Sequence, residues 1–267
     1  MEASALEGLR VVVTREAEAG EAFAARLREL GAEPLVCPAI EIHFRNPPGF
    51  HDALKALPRF DWVVFTSANA VRAVAERCAA LGIDPASGLA HPKVAAVGEP
   101  TAEALRELGA RVDLVPSVAT GSALAEAMIE EGVAGSLVFI PASRIARPEL
   151  PRALRQAGAG VVLFAVYDTR RPEGLPAECR RALEGGEVDV LTFFSPSAVR
   201  NFVALAGEDL ARAYPNVCIG ATTAAEVREL GLQQPMLAKG ASEDGVIAAL
   251  LEFNRLTRAG DDVEVES

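Results

Sequence analysis

The chain has 267 residues, half of them apolar and about a quarter charged, which allows one large or two medium globular domains and excludes a disordered polymer. Lys and Arg number 26 against 37 Asp and Glu, a net charge of −11, and four of the negatives (Asp261, Asp262, Glu264, Glu266) lie in the tail DDVEVES, read as a solvated appendage over 261–267. A body this acidic argues against a nucleic-acid surface, no apolar run is long enough for a bilayer, and MEASALEGLR lacks the apolar core of a secretory leader, so the expected compartment is the cytoplasm.

In chain order, LRVVVT is the first predicted strand, and the helical stretch after it closes on Gly31. EPLVCPAI follows and runs into PAIEIHF, which has the character of a linker. DWVVFT ends in FTSANAVRA (Phe65–Ala73), where a helix begins with Val71, Val74, Ala75 and Cys78 on one face. KVAAVG, a helix ending at Gly109, the run RVDLV and the stretch VATGSALAEAM complete a first set. SLVFIPA, a helix closed by Gly158, GVVLFAVY and the Pro-containing TRRPEG come next. DVLTFF ends in FSPSAVRNF, whose helix carries Val199, Phe202, Val203 and Ala206. NVCIGA, a helix ending at Gly231, a weak run near PMLA and KGASEDGVIAAL finish the pattern.

These runs are rich in Val and Ile and apolar on both faces, as strands covered by helices on each side must be. Gly31, Gly82, Gly109, Gly158 and Gly231 stand where left-handed caps end helices. Alternating β and α units predict parallel sheets with right-handed crossovers.

The pattern is written twice. Ser67 and Ser195 are 128 apart, Gly98 and Gly220 are 122 apart, and so are Thr101 and Thr223. The 122 spacing persists from Thr120 to Ser242, and Gly31 and Gly158 are 127 apart. Segments in the same order at nearly constant spacing predict an internal duplication, each copy one doubly wound, flavodoxin-like α/β domain. Taken alone, the repeat places a simple cut near Gly135.

In open α/β sheets, ligands bind beyond the carboxyl ends of the strands. Those ends read Thr14-Arg15, Thr66-Ser67-Ala68-Asn69, Gly98 to Thr101, and Thr120-Gly121 in the first copy. In the second they read Ser143-Arg144, Ser195-Pro196-Ser197, Gly220 to Thr223, and Ser242. Small residues there leave helix N–H groups uncovered and hydroxyls add donors, a surface suited to carboxylates or phosphates. Ser and Thr are also ordinary N-caps, so the case is collective: two domains present many such turns, and a cleft between domains would hold one large polyanion. Arg15, Arg72, Arg144, Arg147, Arg170, Arg171 and Arg200 are near these turns, although arginines are mostly solvated surface residues.

Other chemistry is not written in the chain. There is no GxGxxG after a strand, no GxxxxGK[ST], no GxSxG and no HExxH. His43, His51 and His91 lie outside the strand ends. Cys37, Cys78, Cys179 and Cys218 are far apart with no CxxC, and are read as reduced core thiols. One asymmetry stands out: on the 127 spacing, Tyr167 occupies the place of Ile40. The fold therefore does not demand a phenol there, and a phenol can assist a leaving hydroxyl; simple packing at a strand end is the alternative.

FTSANAVRA, VGEPTAEALRELG, VYDT, FFSPSAVRNF and IGATTAAEVRELGL together resemble the uroporphyrinogen-III synthase family over nearly the whole chain, from LRVVVTRE to a helix ending near Asn254. The resemblance implies two flavodoxin-like domains joined by a two-stranded linker: residues 1–37 plus 171–260, residues 43–166, and linker strands 38–42 and 167–170. It implies a cofactor-independent lyase that cyclises hydroxymethylbilane, a linear tetrapyrrole with eight carboxylates, by loss of water and inversion of the last ring. Catalysis would be largely by orientation. Tyr167 matches the family's tyrosine and is assigned assistance to hydroxyl departure, while Thr101, Ser195, Ser197, Thr222 and Thr223 match its polar turns. Asn69 stands where some relatives have a basic residue, so no charge contact is carried over. A monomer that receives its substrate from the upstream bilane-forming enzyme, with no nucleic-acid or membrane partner, is expected. The competing reading is a non-enzymatic two-domain binder of a polyanionic small molecule, separable by whether the bilane is turned into the type III isomer. A DNA-linked regulator is disfavoured because no basic recognition helix is present.

Overall fold

A computed structural model of the chain describes residues 5–264. The first four residues, part of the segment searched for a leader, and the last three, the end of the acidic tail, lie outside the described residues. Ten strands are described: β1 (Arg10–Val13), β2 (Glu33–Val36), β3 (Glu41–Phe44), β4 (Trp62–Phe65), β5 (Lys93–Ala96), β6 (Leu137–Ser143), β7 (Gly160–Arg170), β8 (Val190–Phe193), β9 (Asn216–Cys218) and β10 (Met236–Leu237). The chain divides into two compact units, Met1–Glu41 with Arg170–Ser267, and Ile42–Thr169.

The discontinuous unit holds a sheet in the order β10-β9-β8-β1-β2, with parallel pairs throughout. The continuous unit holds a sheet in the order β3-β7-β6-β4-β5, in which β7-β6, β6-β4 and β4-β5 are parallel. Both fold as α/β layers because their strands are apolar on both faces. In β4, Val63 and Phe65 enter one core with Val71, Val74 and Cys78, while Trp62 and Val64 enter another with Leu124, Met128 and Leu154. In β1, Val12 joins Leu191 and Phe193 on one side, and Val11 and Val13 join Phe23 and Val217 on the other. The expected helix-ending glycines all adopt the left-handed region, Gly31, Gly82, Gly109, Gly158 and Gly231 having φ of +86, +65, +83, +88 and +66°.

Three expectations are corrected. RVDLV forms no named strand; only Leu114 bridges to Ala95. The Asp113 side chain accepts the Val94 N–H at 2.9 Å, a bond that a neighbouring strand's carbonyl would otherwise make, and the ladder stops there. The last helix, Glu243–Glu264, passes the expected end near Asn254, so the DDVE part of the tail continues it.

The third correction concerns the thiols. Cys37 and Cys179 are joined in a disulfide with Cα atoms 5.8 Å apart. They are 142 residues apart in sequence but belong to one unit, Cys37 following β2 and Cys179 sitting on the helix Ala177–Glu184. Cys78 and Cys218 are free and buried as expected. Burial, with Asp84 adding to it, pushes the Cys78 thiol up to about 11; burial, opposed by Arg228, pushes Cys218 up to about 12. Neither is a thiolate nucleophile at neutral pH.

Candidate active site

The continuous unit contains a cavity of ≈ 490 Å³ at the carboxyl ends of its strands. Of the residues singled out from sequence, Thr66 after β4, Thr120 and Gly121 at the start of the helix Gly121–Glu130, Ser143 at the end of β6, Arg147, and Tyr167 on β7 line it. Apolar walls come from Val97, Ile140, Leu150 and Leu163, and Ile145 lies at the rim with 73 % of its surface exposed. The lining is thus mostly apolar with a few polar groups, as small-molecule sites are. Arg147 and Glu149 bring one charge of each sign.

Tyr167 is 8 % exposed, and its hydroxyl lies 2.9 Å from Ser67 Oγ. Ser67 also caps the helix Ala68–Ala80, its Oγ accepting from Ala70 N–H at 3.2 Å. Either hydroxyl can donate in this contact; with Ser67 as the donor, the phenol proton is left for a third group. The phenol owes its direction to a bulge. Ala142 pairs with Ala165, but Ser143 pairs with Tyr167, so β7 carries an extra residue there. Val166, Tyr167 and Asp168 are consequently buried in succession instead of alternating.

The remaining expected residues fall elsewhere. In this unit Asn69 Oδ1 accepts from Arg72 at 3.2 Å, and Ala68 is the first residue of its helix. Gly98 caps the helix Glu99–Glu107 with no side chain over its N–H groups, and Thr101 is 4 % exposed. Arg144, beside Ser143, donates to Asp168 at 2.6 Å.

In the other unit Thr14 is fully buried and its hydroxyl donates to the Thr192 carbonyl at 2.6 Å, while Thr192 donates to the Val12 carbonyl at 2.8 Å. Thr14 therefore locks β1 to β8 and offers no hydroxyl to a ligand. Arg15 pairs with Glu243 and lies over the Phe194 ring, 4.7 Å from its centroid, so its charge is already matched. Ser195 caps the helix Pro196–Ala206 and lies 3.1 Å from Ser197 Oγ. Gly220 caps the helix Ala221–Glu229 without a side chain; Thr222 is exposed and Thr223 is 1 % exposed. Ser242 Oγ accepts from Gly245 N–H at 3.1 Å.

Gly98 and Gly220 occupy matching places but differing surroundings. A Cβ on Gly98 would lie 2.9 Å from Ala119 Cβ, whereas one on Gly220 would meet nothing within 4 Å. Both have extended backbones open to any residue, with φ of −174 and −173°. Gly98→Ala is expected to cost about 1–2 kcal/mol through overpacking. Gly220→Ala should leave stability within about 0.5 kcal/mol, by thermal unfolding, so a loss of activity in that variant reports on ligand approach. Equal destabilisation of both would contradict this.

A larger cavity, ≈ 620 Å³, lies at the opposite end of the discontinuous unit's sheet, among Arg10, Arg28, Glu33, Glu178 and Glu187. Its cations are matched: Arg10 to Asp189 at 2.6 Å and Arg28 to Glu21 at 3.4 Å. Burial raises the Asp189 carboxyl's pKa, but the Arg10 bonds outweigh it and hold the group below its ordinary value. With three carboxylates on its wall this cavity suits no polyanion. Among the described residues no three of His, Cys, Asp and Glu come together to hold a metal ion, and no helix is long and apolar enough to cross a membrane.

Sequence reasoning passed over Asp168 and Arg45, whose ion pair spans 123 residues. A charged residue directly after Tyr167, at the close of an apolar run, was the available signal.

The family model for uroporphyrinogen-III synthase HemD matches residues 21–248. The chain is 31% identical over 268 residues to the uroporphyrinogen-III synthase of Synechococcus elongatus, covering 94% of this chain and 98% of that one. It is 29% identical over 250 residues to the porphyrin biosynthesis protein HemD of Ruminiclostridium josui; 93% of this chain is covered, but only 49%, about half, of that longer relative. A crystal structure of a mutant uroporphyrinogen III synthase from Thermus thermophilus is 25% identical with a TM-score of 0.57, covering 94% of this chain and 100% of that one. The Helicobacter pylori uroporphyrinogen-III synthetase, 18% identical with a TM-score of 0.61 over 92% of this chain and 99% of that one, supports the fold alone. A family match this extensive, on parallel α/β sheets, means that the chain belongs to the uroporphyrinogen-III synthase family.

Proposed function

We propose that the chain cyclises hydroxymethylbilane to uroporphyrinogen III, with loss of water and inversion of the last ring, and that Tyr167 assists departure of the hydroxyl. The observation that carries this reading is the Tyr167–Ser67 pair, 2.9 Å apart, beside a largely apolar cavity at the strand ends. Apolar walls suit pyrrole faces. Ser67 donating to the phenol oxygen leaves the phenol proton to meet a leaving hydroxyl. In each unit, taken by itself, helix starts with small or no capping side chains suit carboxylates: Gly121 and Gly98 in one, Gly220 and Ser195 to Ser197 in the other. The protein's main task is to hold a flexible chain in one reactive shape.

The two units are read as flavodoxin-like copies from an internal duplication. In support, β7-β6-β4-β5 followed by the Leu114 bridge has the same spatial order as β2-β1-β8-β9-β10 when the continuous unit is counted from β6. In this reading residues 1–37 plus 171–260 form one domain and 43–166 the other, joined by paired linker strands. The enzyme works as a cytoplasmic monomer without cofactor and receives the bilane from the enzyme that makes it.

The deciding experiment feeds the linear bilane to the purified chain and separates the products. Excess type III isomer over the type I isomer of the unassisted reaction is expected. Tight binding of the bilane with type I alone would leave a binder and not a synthase.

A further inference from the structure

Two arginines close on the strand end that carries Tyr167, one from each side. Arg45 follows directly on β3 and Arg144 directly on β6, the two neighbours of β7. Each makes the same two kinds of contact. Arg45 N–H donates to the Val166 carbonyl at 2.8 Å and Arg144 N–H to the Tyr167 carbonyl at 2.9 Å. Their guanidinium groups then reach one carboxylate: Arg45 donates to Asp168 Oδ2 at 2.7 Å and Arg144 to Asp168 Oδ1 at 2.6 Å. The Asp168 side chain is 4 % exposed, while those of Arg45 and Arg144 are 42 % and 61 % exposed. A carboxylate at that depth is retained only when cations and hydrogen bonds match it.

The clasp sits on the bulge. The extra residue that re-aims Tyr167 lies between Ala165 and Tyr167, and the main-chain bonds from the two arginines land on Val166 and Tyr167. A bulged strand end has an interrupted ladder and is the least constrained part of a sheet. Both flanking strands are fastened to it here through Asp168. We propose that Asp168 is a positioning residue for Tyr167: by holding Arg45 and Arg144 on either side of the bulge, it fixes the phenol toward Ser67 and the cavity. The inference rests on the reading of Tyr167 as the group that assists hydroxyl departure. Asp168 itself is buried behind the strand end and acts through its neighbours.

The test is a double-mutant cycle on the full chain. Asp168→Asn keeps the shape but offers one oxygen where two were used. With the linear bilane, kcat is expected to fall about 10- to 30-fold with KM within about 2-fold, because misdirection of a reacting group affects turnover more than binding. In a Tyr167→Phe background the same change is expected to cost less than about 2-fold, since the phenol it directs is gone. Trp62, the chain's one tryptophan, is 4 % exposed on β4, and its emission checks that this unit is folded. Should Asp168→Asn not fold, Arg45→Gln and Arg144→Gln each remove one arm and enter the same cycle.

A second readout needs no turnover. The chain has two tyrosines, Tyr167 and Tyr214, so tyrosine Cζ labelling gives two signals. Arg45→Gln is expected to move that of Tyr167 and leave Tyr214 in place. An unmoved Tyr167 signal, an equal fold-loss with and without the phenol, or a loss carried by KM alone overturns the positioning role. If the native chain makes no type III isomer, the functional reading falls instead; if it does and the cycle is additive, only Asp168 loses its role.

Discussion

Tyr167→Phe is expected to lower kcat about 10²-fold, some 2.7 kcal/mol in the barrier, while product affinity changes less than about 3-fold. The asymmetry follows from where the atoms are. The ring is buried and packs with the core that contains Val63, Phe65 and Phe139, so phenylalanine fills the same space. What is lost is one hydroxyl and its 2.9 Å bond to Ser67. Ser67 keeps its cap on the helix Ala68–Ala80, so the turn that borders the cavity keeps its shape. In the proposed mechanism ground-state binding draws on helix starts and apolar walls that the substitution does not touch, whereas departure of the hydroxyl draws on the missing proton. Single-turnover rates with the linear bilane, set against product titration, separate the two. Tyr214→Phe is the control, because that phenol donates to the Leu183 carbonyl in the other unit. An unchanged rate in Tyr167→Phe would remove the phenol from the mechanism and leave family membership untouched.

The parts of this molecule legible in its sequence are those fixed by residues a few positions apart. A helix that ends on glycine announces its own stop, and all five glycines so read have φ above +60°. Strand cores are legible for the same reason, since Val63 and Trp62 face opposite ways wherever β4 lies in the sheet. Strand-end turns could be ranked by their small residues, and Thr66, Thr120, Gly121 and Ser143 line one cavity together with Tyr167. What could not be read depends on partners more than a hundred residues away. Thr14 has the composition of a binding turn, but its hydroxyl is committed to Thr192, 178 positions on. Arg15 has the charge for an anion, but Glu243 matches it. Asp168 reads in sequence as part of a linker, and its partners Arg45 and Arg144 lie 123 and 24 positions away. Gly98 and Gly220 are the same letter in matching contexts, and only the packing of Ala119 tells them apart.

Opening the Cys37–Cys179 bond is expected to lower the stability of the discontinuous unit by about 3 kcal/mol, not the roughly 5 kcal/mol that a closed loop of its nominal length implies. The sulfurs are 142 residues apart, and in a fully unfolded chain the bond closes that whole span. Most of the span is the continuous unit, Ile42–Thr169, whose first and last strands, β3 and β7, are hydrogen-bonded neighbours in one sheet. While that unit stays folded it brings its own ends together, and the bond constrains only Cys37 to Glu41 and Arg170 to Cys179, about fifteen residues, for which chain entropy gives about 3 kcal/mol. Urea unfolding with and without reductant measures the difference. Far-UV circular dichroism should show the earlier transition shifting on reduction, while Trp62 emission, which belongs to the continuous unit, should keep its midpoint. A Cys37→Ala, Cys179→Ala variant should match the reduced protein and ignore reductant. Thiol titration in denaturant counts the bond directly: two free thiols before reduction and four after, from the four cysteines. Four thiols at the outset would show the bond absent in solution, and a shared drop of about 5 kcal/mol at both probes would show that the units unfold together. With the bond opened, the discontinuous unit rests on its two cores alone.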